Sequence, residues 1–181
     1  DAEGCRSVRR SYRPAQPVKA RIAALAACLA GMMFSSCHHL DDDRVPMMPV
    51  WLAFKSQAEW TLYGTPAAMD ARLFVKQSLI PSDFPYTAIE ETGYGGVWLV
   101  CDVMGVPKAY DAACPVEVKR DVRVFINDEH EAECPVCHST FDVFSLDGHP
   151  LSGRAAEEGW GLRRYGVGPG GRGEFMVVRQ R

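Results

Sequence analysis

Two short loops carry the residues best able to do chemistry in this 181-residue chain. The first is Ala113-Cys114-Pro115-Val116-Glu117. The second is Cys134-Pro135-Val136-Cys137-His138-Ser139-Thr140-Phe141-Asp142. Thiolates bind soft and borderline metal ions, and pairs of thiols form disulfides. A proline beside each leading cysteine stiffens the loop by fixing φ. Both loops fall between apolar, strand-like segments, where a two-loop metal site would sit.

Those segments are short. Val50–Phe54, Ala71–Val75, Val97–Asp102 and Lys108–Asp111 read as strands, the last two as a hairpin with a break at Met104–Pro107. Gln57–Tyr63 reads as a short helical turn and Thr92–Gly96 as a loop. Val122, Val124 and Ile126 alternate with Arg123 and Phe125, the period of a half-buried strand. Asn127-Asp128 turns the chain and Glu129–Glu133 returns. Thr140–Phe144 is another strand, and Leu146-Asp147-Gly148 carries the Asp-Gly pair of a tight hairpin. Leu162–Tyr165 and Phe175–Val178 close the pattern around a glycine-rich turn, 166–173. No long amphipathic helix and no internal repeat stands out. Many short strands with frequent turns predict an all-β barrel or sandwich.

At the two cysteine loops the chain resembles the Rieske iron–sulfur family. That family's pattern is Cys-x-His, fifteen to seventeen residues, then Cys-x-x-His. Cys134–Asp142 aligns without a gap and keeps its Cys, Pro, Ser, Phe and Asp. Seventeen residues separate Val116 from Cys134. Residues 108–115 resemble the strand into the family's first loop, Leu151–Ala155 its later proline loop and Leu162–Tyr165 the next strand. The resemblance covers roughly residues 86–180. It implies a small antiparallel barrel with an inserted two-loop lobe, and a [2Fe–2S] cluster held by two Cys on one iron and two His on the other. Cys114 and Cys134 match the two Cys. Val116 and Cys137 stand where the two His belong, His138 takes the usual Gly position, and Arg154 replaces a proline.

That substituted ligand set leaves four states open. One is a metal-free pair of loops clamped by a disulfide from Cys114 to Cys134 or Cys137, which needs Cα atoms within about 7 Å. The second is free thiols without a role. The third is a mononuclear Zn or Fe site using Cys114, Cys134, Cys137 and either Glu117 or His138. The fourth is an atypical [2Fe–2S] centre with one outside ligand.

Other reactive residues read as ordinary. Cys101 sits in an apolar strand, as a core thiol does. His130 and His149 fall in turns. Trp51, Trp60, Trp98 and Trp160 lack an interpretable spacing and read as packing residues. Glu90-Glu91 and Glu157-Glu158 read as solvated faces. No helix pattern follows the glycines at 166–173, so they do not make a phosphate loop. No Ser-His-Asp set and no acid–base pair is visible.

The N-terminal segment reads as an address. Residues 1–18 read as a non-native or disordered leader, with Val18 as the start. Lys19 and Arg21 precede a thirteen-residue apolar run, 22–34. That run would span roughly 20 Å as a helix, short of a hydrocarbon core of about 30 Å, so 19–36 reads as a secretory signal. Phe34-Ser35-Ser36-Cys37 resembles a bacterial lipobox, which implies lipidation of Cys37. His38 after the Cys resembles outer-membrane sorting, and Asp41–Asp43 resembles the acidic run of Bacteroidetes surface lipoproteins or a solvated tether. Residues 37–47 then form a tether, and 48–181 one Rieske-like domain. Six of the twenty Lys and Arg and two of the twenty-three Asp and Glu precede Cys37, so 37–181 carries a net charge of −7. An acidic domain disfavours nucleic acid and anionic headgroups.

The expected function is a lipid-anchored module of the bacterial envelope, outer membrane before inner. Its Rieske-like domain lacks the standard cluster and binds a protein partner or serves structurally. The rival is an electron carrier with an unusual cysteine-rich metal site. No enzyme activity and no small-molecule substrate is indicated.

Overall fold

The computed structural model describes residues 40–171 and 173–181. The expected leader, the expected signal segment and Cys37 lie outside them. Among the described residues, eleven strands and two short α-helices follow in order: β1 Val50–Phe54, α1 Gln57–Tyr63, β2 Ala71–Phe74, β3 Glu91–Thr92, β4 Val97–Cys101, β5 Pro107–Asp111, β6 Phe125–Ile126, β7 Ala132–Glu133, β8 Thr140–Asp142, β9 His149–Pro150, α2 Gly153–Glu158, β10 Arg164–Gly168 and β11 Met176–Arg179. Among the described residues no helix is long and apolar enough to cross a membrane.

The chain is all-β. Seven strands form an antiparallel sheet in the order β2-β4-β5-β10-β11-β1-β3. The sheet curls until its ends nearly meet, and the Lys76 amide beyond β2 donates to Thr92 Oγ1 of β3 at 3.2 Å. Alternation dictates what lies inside. Leu52 and Phe54 of β1, Val97 and Leu99 of β4, and Val178 of β11 all point into one core. Phe54 is its centre, with ring centroids 5.0 Å from Trp60, 6.0 Å from Phe74 and 5.9 Å from Phe84, all edge-on. Ser56 caps α1 by accepting the Glu59 amide at 3.1 Å, and the helix ends where Gly64 donates to Trp60 O at 2.8 Å.

A second antiparallel sheet, β6-β7-β8-β9, is inserted between β5 and β10. It carries both cysteine loops, 114–118 and 134–138. Its core gathers Val124, Ala132, Phe141, Val143 and Leu162 with the Cys114 and Cys134 side chains. Two opposed residues of the β4–β5 hairpin tie the lobe to the barrel. Trp98 Nε1 donates to Val124 O at 2.9 Å and Tyr110 OH to Val143 O at 3.2 Å.

Several expectations need correction. The strand expected over 122–126 keeps its alternation, with Val124 buried and Phe125 exposed. Only Phe125–Ile126 is paired as strand, and Arg123 makes a lone bridge to Ala113. The β8–β9 hairpin forms, but Asp142 pairs with His149 across a six-residue loop rather than a tight one. Leu151–Ala155 runs into the short helix α2, closed by Gly159 in the left-handed region. Six helical residues are too few to show a period in sequence. Glu90 is buried, not solvated, because its carboxylate accepts the Thr87 amide and hydroxyl at 2.5 and 2.6 Å.

The tether is the largest correction. Residues 40–45 are docked. The Asp41 amide donates to Gly159 O at 3.0 Å, and the Gly161 amide returns to Asp41 O at 2.8 Å. Arg163, itself buried, donates to Val45 O at 2.6 Å and Asp43 O at 2.9 Å. Asp42 pairs with Arg164 at 2.6 Å and Asp43 with Arg163 at 3.1 Å. Val45 is wholly buried and Arg44 stacks 3.9 Å over the Trp160 ring. Two of the three acidic side chains are therefore paired with arginines, Asp42 in a half-buried pair and Asp43 in an exposed one, while Asp41 Oδ1 accepts the Asp43 amide at 3.1 Å.

Candidate metal centre

Asp111, the last residue of β5, fixes the approach to the first loop. Its carboxylate is fully buried and accepts the amides of Ala113 at 2.8 Å, Gly95 at 2.9 Å and Tyr94 at 2.9 Å, and the Tyr165 hydroxyl at 2.6 Å. Burial raises its pKa, against these four donors. A side chain at Gly95 would meet the Ala113 backbone nitrogen at 2.5 Å, so only glycine lets the two segments lie this close. The Cys114 amide donates to Val122 O at 3.0 Å, and Tyr94 OH holds Val118 O at 3.1 Å.

The second loop is braced from α2. The Cys134 amide donates to Ser139 O at 3.0 Å. Ser139 is buried, and its Oγ accepts the Ala155 amide at 3.2 Å. Gly153, at φ 69°, lies so close that a Cβ would meet Ser139 Oγ at 2.8 Å. The helix that the sequence hid thus packs its first turn against the loop.

These braces bring three of the expected residues together. The sulfurs of Cys114, Cys134 and Cys137 all lie within 4.8 Å of one another. Cys114 Sγ and Cys137 Sγ are 3.6 Å apart. Two zinc-bound thiolates at Zn–S of about 2.3 Å and tetrahedral angles would be about 3.8 Å apart. All four described cysteines are free thiols, so the disulfide expected between the loops is not formed here. Cys101 is a separate core thiol, raised by burial and then by Asp102 and Asp70.

The other two expected ligands are placed differently. The His138 ring is exposed and its Nδ1 sits 3.2 Å from Glu133 Oε1, away from the sulfurs. His138 holds Glu133 below the usual carboxylate range. Glu117 Oε2 lies 3.9 Å from Lys119 Nζ, outside the three-sulfur cluster. Val116 packs on the lobe core and has no donor to offer.

The three thiols are not equivalent. Burial pushes Cys114 and Cys134 above the ordinary thiol range, against the amides of Glu117 and Val116 for the first and of Cys137 and Val136 for the second. Cys137 is half-buried. Burial would raise it too, but the Ser139 hydroxyl, 3.4 Å away, the Ser139 amide and the Cys134 and Cys114 thiols together outweigh that and lower it. A divalent ion would override the burial penalty, because coordination deprotonates thiols outright.

The set does not fit the two-His, two-Cys cluster that the Rieske resemblance implies. Val116 removes one nitrogen ligand and Cys137 converts the other to sulfur. It does fit a single thiophilic ion. The three thiols were legible in the sequence. Asp111 and the bracing role of Ser139 were not legible, since neither differs in sequence from any polar residue beside a turn. Compared with protein-family profiles, curated proteins and solved structures, the chain matches none.

Proposed function

We propose that this protein is an envelope-anchored module whose inserted lobe is built around a three-thiolate metal centre of Cys114, Cys134 and Cys137. The observation that carries this reading is the convergence of three sulfurs from two loops within 4.8 Å. Zinc or ferrous iron suits such a donor set.

The role of the ion is to staple the lobe. Its four strands have only two, two, three and two residues. Strands that short do not make a stable sheet unaided. An ion joining loop 114–118 to loop 134–138 ties the start of the lobe to its middle, and metal binding then becomes folding free energy. The stapled lobe presents a surface to a protein partner, and the lipid on Cys37 holds it at the membrane.

Metal and acid-labile sulfide content tests this, on protein purified anaerobically from its native envelope. One zinc or iron per chain without sulfide is the expected result. Two iron and two sulfide per chain would replace it with an electron carrier. A metal-free protein whose thiols take up neither ion would reduce it to a binding module without a cofactor.

A further inference from the structure

The two cysteine loops are copies of one loop. Each begins Cys-Pro-Val, at 114–116 and 134–136. Each places its fifth residue in the left-handed region, Val118 at φ 51° and His138 at φ 54°. Each closes with the same hydrogen bond, from the Val118 amide to Cys114 O at 2.9 Å and from the His138 amide to Cys134 O at 3.0 Å. In each, the amides of the third and fourth residues act on the sulfur of the first. A β-branched residue rarely adopts positive φ, so Val118 is not there by its own preference.

The fourth positions of the two copies therefore correspond. In the second loop that residue is Cys137, which supplies a sulfur to the cluster. In the first loop it is Glu117. We infer that Glu117 is the fourth ligand and that the centre is a closed mononuclear Cys3Glu site, an inference that rests on the three-thiolate reading above.

The other candidates fall away on position. Val116 has no donor atom, and His138 stands at the fifth position, where the chain has turned outward to Glu133. A Glu side chain is two bonded atoms longer than Cys, so it reaches a corner to which a Cys at that position would be directed. Its carboxylate rests against Lys119, whose side chain is 63% exposed, at 3.9 Å. A pair that open holds a carboxylate weakly. A cation among three thiolates attracts it far more strongly, and Lys119 remains near enough to offset the net negative charge of the filled site.

Cobalt(II) titration of the full chain under reducing conditions tests the assignment. The wild type should show tetrahedral d–d bands and sulfur-to-cobalt charge transfer from three thiolates. Glu117→Cys should raise that charge-transfer intensity by about one third, four thiolates replacing three. Glu117→Ala should weaken cobalt binding by at least the roughly 10- to 100-fold that loss of an outer-shell partner costs. Unchanged intensity in Glu117→Cys, or unchanged affinity in Glu117→Ala, overturns the assignment while leaving the three-thiolate centre standing. A wild type with no sulfur-to-cobalt charge transfer overturns both. Should Glu117→Cys lose its far-ultraviolet circular dichroism, the Glu117→Ala affinity decides alone.

Discussion

At the scale of single residues, function turns on which atom a side chain ends in. Val116 offers no donor atom where a nitrogen ligand would be needed for a second iron, whereas Cys137 ends in a sulfur that lies within 4.8 Å of the other two and could share one ion with them. Charge pairs elsewhere decide stability in the same local way. Asp102 terminates the β4–β5 hairpin, its Oδ1 accepting the Met104 and Val106 amides, each at 2.8 Å. Lys108 lies 3.2 Å from Asp102 and 2.5 Å from Asp147, linking the hairpin to the β8–β9 loop. Burial opposes the charge on Asp102, but the Val106 amide, Lys108 and the Met104 amide outweigh it, and its pKa is lowered. A carboxyl lowered on folding contributes stability that is full above its unfolded value, about 3.9, and lost as pH falls through the folded one. Asp102→Asn should therefore cost on the order of 1 kcal/mol near neutrality. The gap between variant and wild-type melting temperatures should close as pH is lowered from 5 towards 2. A gap that stays constant across that range would show the charge to be irrelevant.

At the scale of elements, the docked segment 40–45 does what no strand pairing does. It lays a strap along the Gly159–Gly161 edge and is pinned by one buried guanidinium. Arg163→Ala would leave the carbonyls of Val45 and Asp43 without their donor. Charge-assisted bonds of this kind contribute about 1.5–3 kcal/mol, so a loss of that order is expected. Hydrogen exchange reads it locally: the Asp41 and Gly161 amides should lose protection while those of β4 and β5 keep theirs. Protection unchanged at Asp41 would mean the strap holds without Arg163. The strap was illegible in sequence because its hold is long-range, from Arg163 to a carbonyl 118 residues away. Most barrel strands were legible because alternate residues face one core, as Leu52 and Phe54 do in β1, but the two-residue β3, Glu91–Thr92, was read as a face and a loop, and β10 runs on through Gly168 where a turn was expected. The lobe was legible only in part. Its strands of two or three residues carry too few alternations to mark their ends, and its cysteine loops, visible as chemistry, hid their likeness because only three residues of each are identical.

At the scale of the whole molecule, charge and attachment act together. The segment 37–181 carries a net charge of −7. An anionic membrane surface therefore repels it, and no polybasic stretch stands ready to substitute for an anchor. The strap begins three residues after Cys37, so a lipid there would hold the domain within about 11 Å of the acylated residue, at roughly 3.6 Å per residue. On the proposed reading, membrane residence would depend on the Cys37 thiol. Cys37→Ser should move the protein wholly from the membrane fraction to the soluble one without changing its melting temperature, because the barrel, the lobe and the strap all lie beyond that residue. Retention of the variant on membranes, in high salt as well as low, would require another hydrophobic attachment and refute the anchor. Release in high salt only would point instead to a charged partner at the membrane, and would likewise refute a lipid as the holding element.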